Sequence, residues 1–461
     1  MQVNKHWGKL GRIASTGLLS LTLLLGYVFP VHAEAPSGTP SISSWSIETL
    51  NEGEKYGIYP LNWYYDGSFQ GAITAEKFQS LMKSTGEKLD QLGFDKKDAA
   101  LSFKTDQVIT RETVITSLHT LLANYKLPAS FGLADQQPVD YMSAKGIVKG
   151  TKAGLELNKP STVEQAAVMA SRLVEYAYDT AGAGAKGLMW KVTNGENTLY
   201  LLGSVHLGIT DMYPMEKSIR DAFQASEDLW VEVDIVNSDM SYFASKMVYD
   251  DGTTLKDHVS EDTYKKLEKA LEKMGMPAGT FDGYKPFAIT TSLSTLSYYE
   301  APEEQLIASN TGIDSYFITK AMLSGKPINE LESIKLQADL FADVPASEQE
   351  AELNTLLDAI LSEDGNQKAA DYLKQMQLYW VKGDREGLAE LLSADEQFAS
   401  GETNQRLIGE RDKNMAKKLA ELLEQEGKHT SFVVVGSAHY VVKGMVVDLL
   451  KEKGYDVQFV Q

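Results

Sequence analysis

Residues 198–208 read "TLYLLGSVHLG" and residues 431–444 read "SFVVVGSAHYVVKG". Each is an apolar run of strand length that ends in Gly-Ser-x-His. Unbroken apolar runs of this kind are what strands look like when helices cover both faces of a sheet. Ligands of open α/β sheets gather beyond the carboxyl ends of the strands, so His206 and His439 are placed to project from the top of such a sheet. Gly203 and Gly436 let the chain turn there and bring backbone close to a bound group. Histidine is scarce, seven in 461 residues, and two of them occupy matching positions. An imidazole titrates near neutrality, which suits proton transfer or metal ligation.

The surrounding sequence has the same texture. "LMWKVT", "EDLWVEVDIV" and a C-terminal "DVQFV" read as further strands. Amphipathic patterns in "TYKKLEKALEKMG", "DSYFITKAMLSG" and "NMAKKLAELLEQEG" read as helices between them. Residues 188–461 are therefore expected to form an α/β domain, a sheet flanked by helices.

Residues 1–187 differ. Lys5, Lys9 and Arg12 precede a short apolar core, and Val31-His32-Ala33 fits a small-x-small cleavage site. This predicts a signal peptide over 1–33, cleaved near Ala33, with no membrane span in the mature chain. After the turn-rich "APSGTP", residues 42–179 carry a weak repeat: "AITAEKFQSLMKS", "VITRETVITSLHTLL" and "PSTVEQAAVMASRLV". Each begins with Thr at a helix N-cap position and Glu in the first turn, where a carboxylate faces the positive end of the helix dipole. A small all-α repeat domain is expected, joined by a flexible linker, residues 180–187, "TAGAGAKG". His119 falls in an apolar helix pattern and reads as a core or boundary residue. The block "KGIVKG…STVEQAAVMASRLV" resembles S-layer homology repeats, whose Thr-Arg-Ala-Glu motif survives best as Thr110-Arg111-Glu112. That resemblance implies binding of a cell-wall polymer; simple packing of one helical repeat on the next is the alternative.

Two further residues stand out. In "LWVEVDI", period-two alternation sets Trp230, Glu232 and Asp234 on one strand face, Asp234 marking a solvated strand end. A carboxylate flanked by Trp and Val is held in a site or lies at the sheet edge. Arg411 heads a helix, where a cation opposes the dipole and so requires a carboxylate partner or an anionic substrate group. Spacing alone also allows an ordinary pair with Glu410 or Asp412.

Composition excludes several classes. A formal charge of −20 argues against a nucleic-acid partner. Zero cysteines exclude disulfides, thiolate metal sites and a cysteine nucleophile. Neither a Gly-x-Ser-x-Gly elbow nor a His-Glu-x-x-His helix is present. Ser204 and Ser437 then read as small turn residues.

The order strand–GxxH, strand with Glu, Arg before a helix, strand–GxxH resembles the TraB/GumN family, related to Tiki proteases and pheromone-shutdown proteins. The resemblance extends over "YKPFAITTSL" and "GIDSYFITKAMLSGKPINELESIKLQ" and covers about residues 188–461. It assigns the family's paired histidines, glutamate and arginine to His206, His439, Glu232 and Arg411, with Asp314 and Glu332 as supporting residues. Tyr440 departs from the family's usual leucine and alters the mouth of the site. The implied activity is that of an exported, secreted or wall-associated hydrolase, a metal-dependent peptidase acting on an extracellular peptide. A divalent metal (Mn, Co or Zn) would be held by His206, Glu232 and His439, with Arg411 at an oxyanion or substrate carboxylate. A metal-free form, with one histidine as general base, stays open. So do a non-catalytic, pheromone-sequestering peptide binder tethered to the wall and a structural envelope protein.

Overall fold

The computed structural model describes residues 41–97, 101–103, 105, 108–133, 136–299, 302–394 and 409–460. The expected leader and its cleavage site lie outside the described residues. The chain divides into two units: Glu34–Ala185 with Thr210–Ser218, and Lys186–Ile209 with Ile219–Gln461.

The N-terminal unit is helical. Its principal helices are α1 (Ile47–Lys55), α2 (Ala75–Asp90), α3 (Arg111–Ala123), α4 (Pro138–Ala144) and α5 (Val163–Ala181). The three expected threonine caps are all formed. Thr74, Thr110 and Thr162 accept hydrogen bonds from the backbone N–H of Lys77, Thr113 and Gln165, each at 3.2 Å, and Thr162 and Gln165 complete a capping box. The three helix starts are stitched together: Ile73 N–H donates to Ser161 O, and Ser161 N–H donates to Ile109 O. Arg111 is turned inward and donates to the carbonyls of Leu155 and Lys149. His119 is half-buried on α3, edge-on to Tyr141, with burial lowering its pKa. Helix α5 runs into the predicted linker and ends at Gly182 in a left-handed conformation. That segment 210–218 packs with this unit is a product of long-range contacts that local sequence does not carry.

In the C-terminal unit, β1 (Met189–Asn194), β2 (Asn197–Ser204), β3 (Asp228–Val231), β4 (Ile328–Glu330), β5 (Thr430–Gly436) and β6 (Asp456–Val460) form one mixed sheet in the order β4-β3-β5-β2-β1-β6. β1 is antiparallel to both neighbours, while β4, β3, β5 and β2 run parallel. Every residue of β5 from Ser431 to Gly436 is buried, so both of its faces are covered, as its unbroken apolar run requires. Helices α6 (Glu261–Lys273), α7 (Pro286–Leu296), α8 (Ile313–Ser324), α9 (Ile334–Ala342), α10 (Ala346–Leu361), α11 (Gly365–Lys382), α12 (Glu410–Glu424) and the one-turn α13 (Ala438–Val441) complete the parts used below. Phe317 of α8 packs on Phe432 of β5 at 4.8 Å between ring centroids. A separate helical core joins α6, α7, α10 and α11 through Leu267, Leu271, Leu293, Leu353, Leu357 and Leu373. The expected α/β class is observed.

Two local expectations are corrected. The predicted strand through Val236 ends at Val231, so Glu232 lies just past the carboxyl end of β3. Asp234 is buried, not solvated: its carboxylate accepts the backbone N–H of Val236 and Asn237 and the Asn237 amide, closing a turn.

Candidate active site at the paired Gly-Ser-x-His turns

The parallel pairing of β2 with β5 explains why the motif occurs twice. Its register sets Gly203 opposite Val435 and Ser204 opposite Gly436, so both strands finish at the same edge and both turns lie side by side. Ser437 ties them together, donating its backbone N–H (3.0 Å) and its hydroxyl (2.8 Å) to Ser204 O. A Cβ on Gly203 would stand 2.8 Å from Ser437 Oγ and 3.1 Å from its Cα, which is why glycine is needed there. Ser437 is structural in this contact, while Ser204 contributes its backbone carbonyl.

Each imidazole is held by a carboxylate from a helix N-terminus. His206 Nδ1 lies 2.7 Å from Asp314 Oδ2, in the first turn of α8. That turn is fixed by a crossing of two glycines: a Cβ on Gly208 would lie 1.8 Å from Thr311 O, and one on Gly312 would lie 2.1 Å from His206 O. Ile313 N–H donates to Val205 O across the same crossing. His439 Nδ1 lies 3.0 Å from Asp412 Oδ1, and Asp412 Oδ2 caps α12 by accepting Gly409 N–H at 2.9 Å. With Nδ1 engaged on both rings, Nε2 is the nitrogen available to another partner. His206 Nε2 is buried with no hydrogen-bond partner among the described residues.

The third element comes from β3 and β4. The ladder continues past both strands, Leu331 N–H to Val231 O and Glu332 N–H to Glu232 O, and so delivers Glu232 and Glu332 next to each other. Arg411, at the start of α12, binds both. Its Nε donates to Glu332 at 2.9 and 3.1 Å, and its Nη2 donates to Glu332 at 2.6 Å and to Glu232 Oε1. Gln337 of α9 donates to Glu232 Oε1 at 2.9 Å and to Glu332 at 3.3 Å. Gly436 N–H points at Glu232 Oε2 at 3.4 Å, linking this group to the second turn.

All the residues named in advance are therefore drawn into one buried cluster: Gly203, His206, Glu232, Asp314, Glu332, Arg411, Gly436 and His439. None of its side chains is more than 7% exposed. Arg411 is buried, and among the described residues it hydrogen-bonds to Glu332 and Glu232. Sequence reading missed Asp412 as an imidazole partner, Gln337, and the Gly208/Gly312 crossing. Asp412 and Gln337 look like ordinary first-turn and helix-face residues until the fold brings their partners near. The glycines had a local signal, since each lies two residues from a residue already singled out.

Electrostatics follow from burial and charge count. Burial disfavours imidazolium at His206, but the Asp314 carboxylate, its hydrogen bond and the charge of Glu232 outweigh it, so the pKa is raised. His439 behaves alike: burial is outweighed by Asp412 and Glu232, with Arg411 opposing. For Glu232, burial is overcome by the positive charges of Arg411, His439 and His206, which hold its carboxyl well below the ordinary range. Four buried carboxylates, Glu232, Glu332, Asp314 and Asp412, face one guanidinium. With both imidazoles protonated, as their raised pKa favours, the cluster's four carboxylates exceed its cationic groups among the described residues by one.

Among the described residues, no three His, Asp or Glu side chains converge as a ready three-ligand metal cage. The expected set of His206, Glu232 and His439 does not form such a group, and Glu232 Oε1 is engaged by Arg411 and Gln337. What does fit a cation is narrower: two imidazoles oriented through Nδ1, an orphaned Nε2 on His206, and an excess of buried negative charge.

A model of the TraB/PrgY/gumN family matches residues 188–458. The chain is similar to Metalloprotease TIKI1 of Xenopus tropicalis, 22% identical over 301 residues, 56% of this chain and 58% of that protein. It is similar to the uncharacterized protein YbaP of Escherichia coli (strain K12), 25% identical over 189 residues, 41% of this chain and 65% of that one. It is also similar to Metalloprotease TIKI2 of Danio rerio, 21% identical over 305 residues, 56% and 58% of the two chains. The chain thus spans less than two thirds of the length of these relatives. No solved structure matches it. The family match takes in more than half of the chain, strands β1 to β5 with the start of β6, and every member of the buried cluster, and the chain belongs to the TraB/PrgY/gumN family.

Proposed function

We propose that the chain is a hydrolase, a metal-dependent peptidase acting on an extracellular peptide. The observation that carries this reading is the pair of carboxylate-oriented imidazoles on adjoining strand ends, set in a buried cluster with excess negative charge. Relatives named metalloproteases support it. A divalent ion (Mn, Co or Zn) would be held through Nε2 of His206 and His439. When bound, such an ion lowers the pKa of a coordinated water toward neutrality and polarises a carbonyl. Asp314 and Asp412 orient the rings and fix the tautomer that offers Nε2. Glu232, held ionised, balances the ion's charge; a carboxylate with so low a pKa is a weak proton acceptor at neutral pH, so it serves as an anchor. Arg411 and Glu332 fix Glu232 in place.

Incubating the protein with a diverse peptide mixture, with Mn²⁺, Co²⁺, Zn²⁺ or EDTA, and following products by mass spectrometry tests this. Cleavage that depends on the ion and disappears in His206→Ala is the expected result. Absence of cleavage under every condition would remove the peptidase reading. A second reading, a peptide binder that does not cut, predicts saturation at one ligand per chain without turnover. Export and attachment to a wall polymer through the N-terminal repeats belong to either reading. They are supported by the leader-like residues 1–33 and the three threonine-capped helix starts. Among the described residues no helix is long and apolar enough to cross a membrane.

A further inference from the structure

Tyr440 places a hydroxyl where the protein itself has no use for one. It follows His439 on α13, is 3% exposed, and packs its ring against Trp190 of β1 at 5.6 Å. Its hydroxyl is enclosed and has no hydrogen-bond partner among the described residues. A buried orphan of this kind destabilises the fold, and phenylalanine would fill the same space without that cost. Two more orphaned polar atoms, Ser204 Oγ and His206 Nε2, lie on the adjoining turn. Unsatisfied buried polar groups on two adjoining turns point to a partner that is not part of the chain. A neutral phenol has an O–H to donate, and this one is enclosed beside His439 with its donor unused.

We infer that Tyr440 donates its O–H to the substrate oxygen that becomes negative when water adds to a scissile carbonyl at this centre. This rests on the hydrolase reading. In that step the water oxygen bonds to the carbonyl carbon and the carbonyl π pair moves onto its oxygen. Tyr440 hydrogen-bonds to that oxygen and keeps its proton. The proton released by the water reaches the departing nitrogen as the C–N bond breaks. Arg411 is engaged by two carboxylates, so the task falls to a neutral donor. Removing one such donor costs about 10²–10³ in turnover where it has been measured, since it acts where charge develops.

The test is Tyr440→Phe, read three ways: thermal stability, kcat and KM on a cleaved peptide, and affinity for a capped alanyl-alanine phosphinate, whose tetrahedral anion mimics the oxyanion. The inference predicts stability unchanged or slightly higher, kcat lower by roughly 10–1,000-fold with KM little changed, and phosphinate affinity lower by about 10-fold or more. If the wild type cleaves or binds and Tyr440→Phe matches it within about twofold, the inference is overturned and the hydrolase reading stands. If Tyr440→Phe is destabilised, the hydroxyl has a structural role and the inference is overturned. If the wild type neither cleaves peptide nor binds the phosphinate, the hydrolase reading fails and takes the inference with it.

Discussion

Replacing Arg411 by methionine would leave Glu232 and Glu332 adjacent in the interior with no cation between them. In the wild type the guanidinium makes a bidentate contact with Glu332 and a further bond to Glu232, and all three side chains are almost fully enclosed. Removing one partner of a buried pair costs about 3–5 kcal/mol, because the remaining charge is neither solvated nor paired. Here one cation serves two carboxylates, so the upper part of that range, about 4–5 kcal/mol, is expected. At 1.4 kcal/mol per tenfold, that lowers amide hydrogen-exchange protection in β3 and β5 by roughly 10³-fold. Exchange followed by mass spectrometry on peptides covering Leu229–Val231 and Phe432–Val435 reads this directly. Adding Glu332→Gln to Arg411→Met halves the number of unpaired carboxylates and should restore about half of the loss. Protection that changes by less than about threefold in Arg411→Met, or a double variant no better than the single, would refute the argument that paired charge holds Glu232.

Other consequences are as direct. Gly208→Ala puts a Cβ 1.8 Å from Thr311 O, a backbone clash that no rotamer relieves; a loss of at least about 2 kcal/mol in urea unfolding is expected, with activity falling as His206 shifts from Asp314. Lys88 is buried in the N-terminal unit, donating to Thr210 O, and burial lowers its pKa to about 8 despite Asp211. The unfolded chain then binds more protons than the folded one between about 8 and the ordinary 10.5, so this lysine's destabilising effect is full below that window and fades as pH rises through it. Lys88→Met should therefore melt higher than wild type at pH 7, by up to roughly 3 kcal/mol less the lost hydrogen bond, and the gap should close by pH 10.5. An equal gap at both pH values would contradict this. A divalent ion at about 100 times its Kd should stabilise the wild type by about 2.7 kcal/mol and leave His206→Ala unmoved in a thermal melt.

Much of the centre was legible because its parts carry local signals. β2 and β5 announce themselves as buried strands, the threonine caps mark three helix starts, and scarcity made two histidines conspicuous. What stayed hidden depends on partners distant in sequence. Alternation in "LWVEVDI" continues past Val231, so pattern alone could not show that the strand stops and that Glu232 and Glu332 emerge together. Three-residue β4 is too short to give a period. Asp412 is a helix cap by position and an imidazole partner only because β5 brings His439 to it. Arg411 advertised a need for an anion, and its place in the chain did not reveal that the anion was the protein's own.

The most direct test of the account is calorimetric titration of metal-free protein with Mn²⁺, Co²⁺ or Zn²⁺, for the wild type, His206→Ala, His439→Ala and, as a control, His119→Ala. If the two turns build one centre, the wild type and the control bind one ion per chain, and each of the first two substitutions weakens binding by 100-fold or more, as expected on removal of a first-coordination ligand (~3 kcal/mol). Binding indifferent to both His206→Ala and His439→Ala, or no binding of any of the three ions, would contradict it.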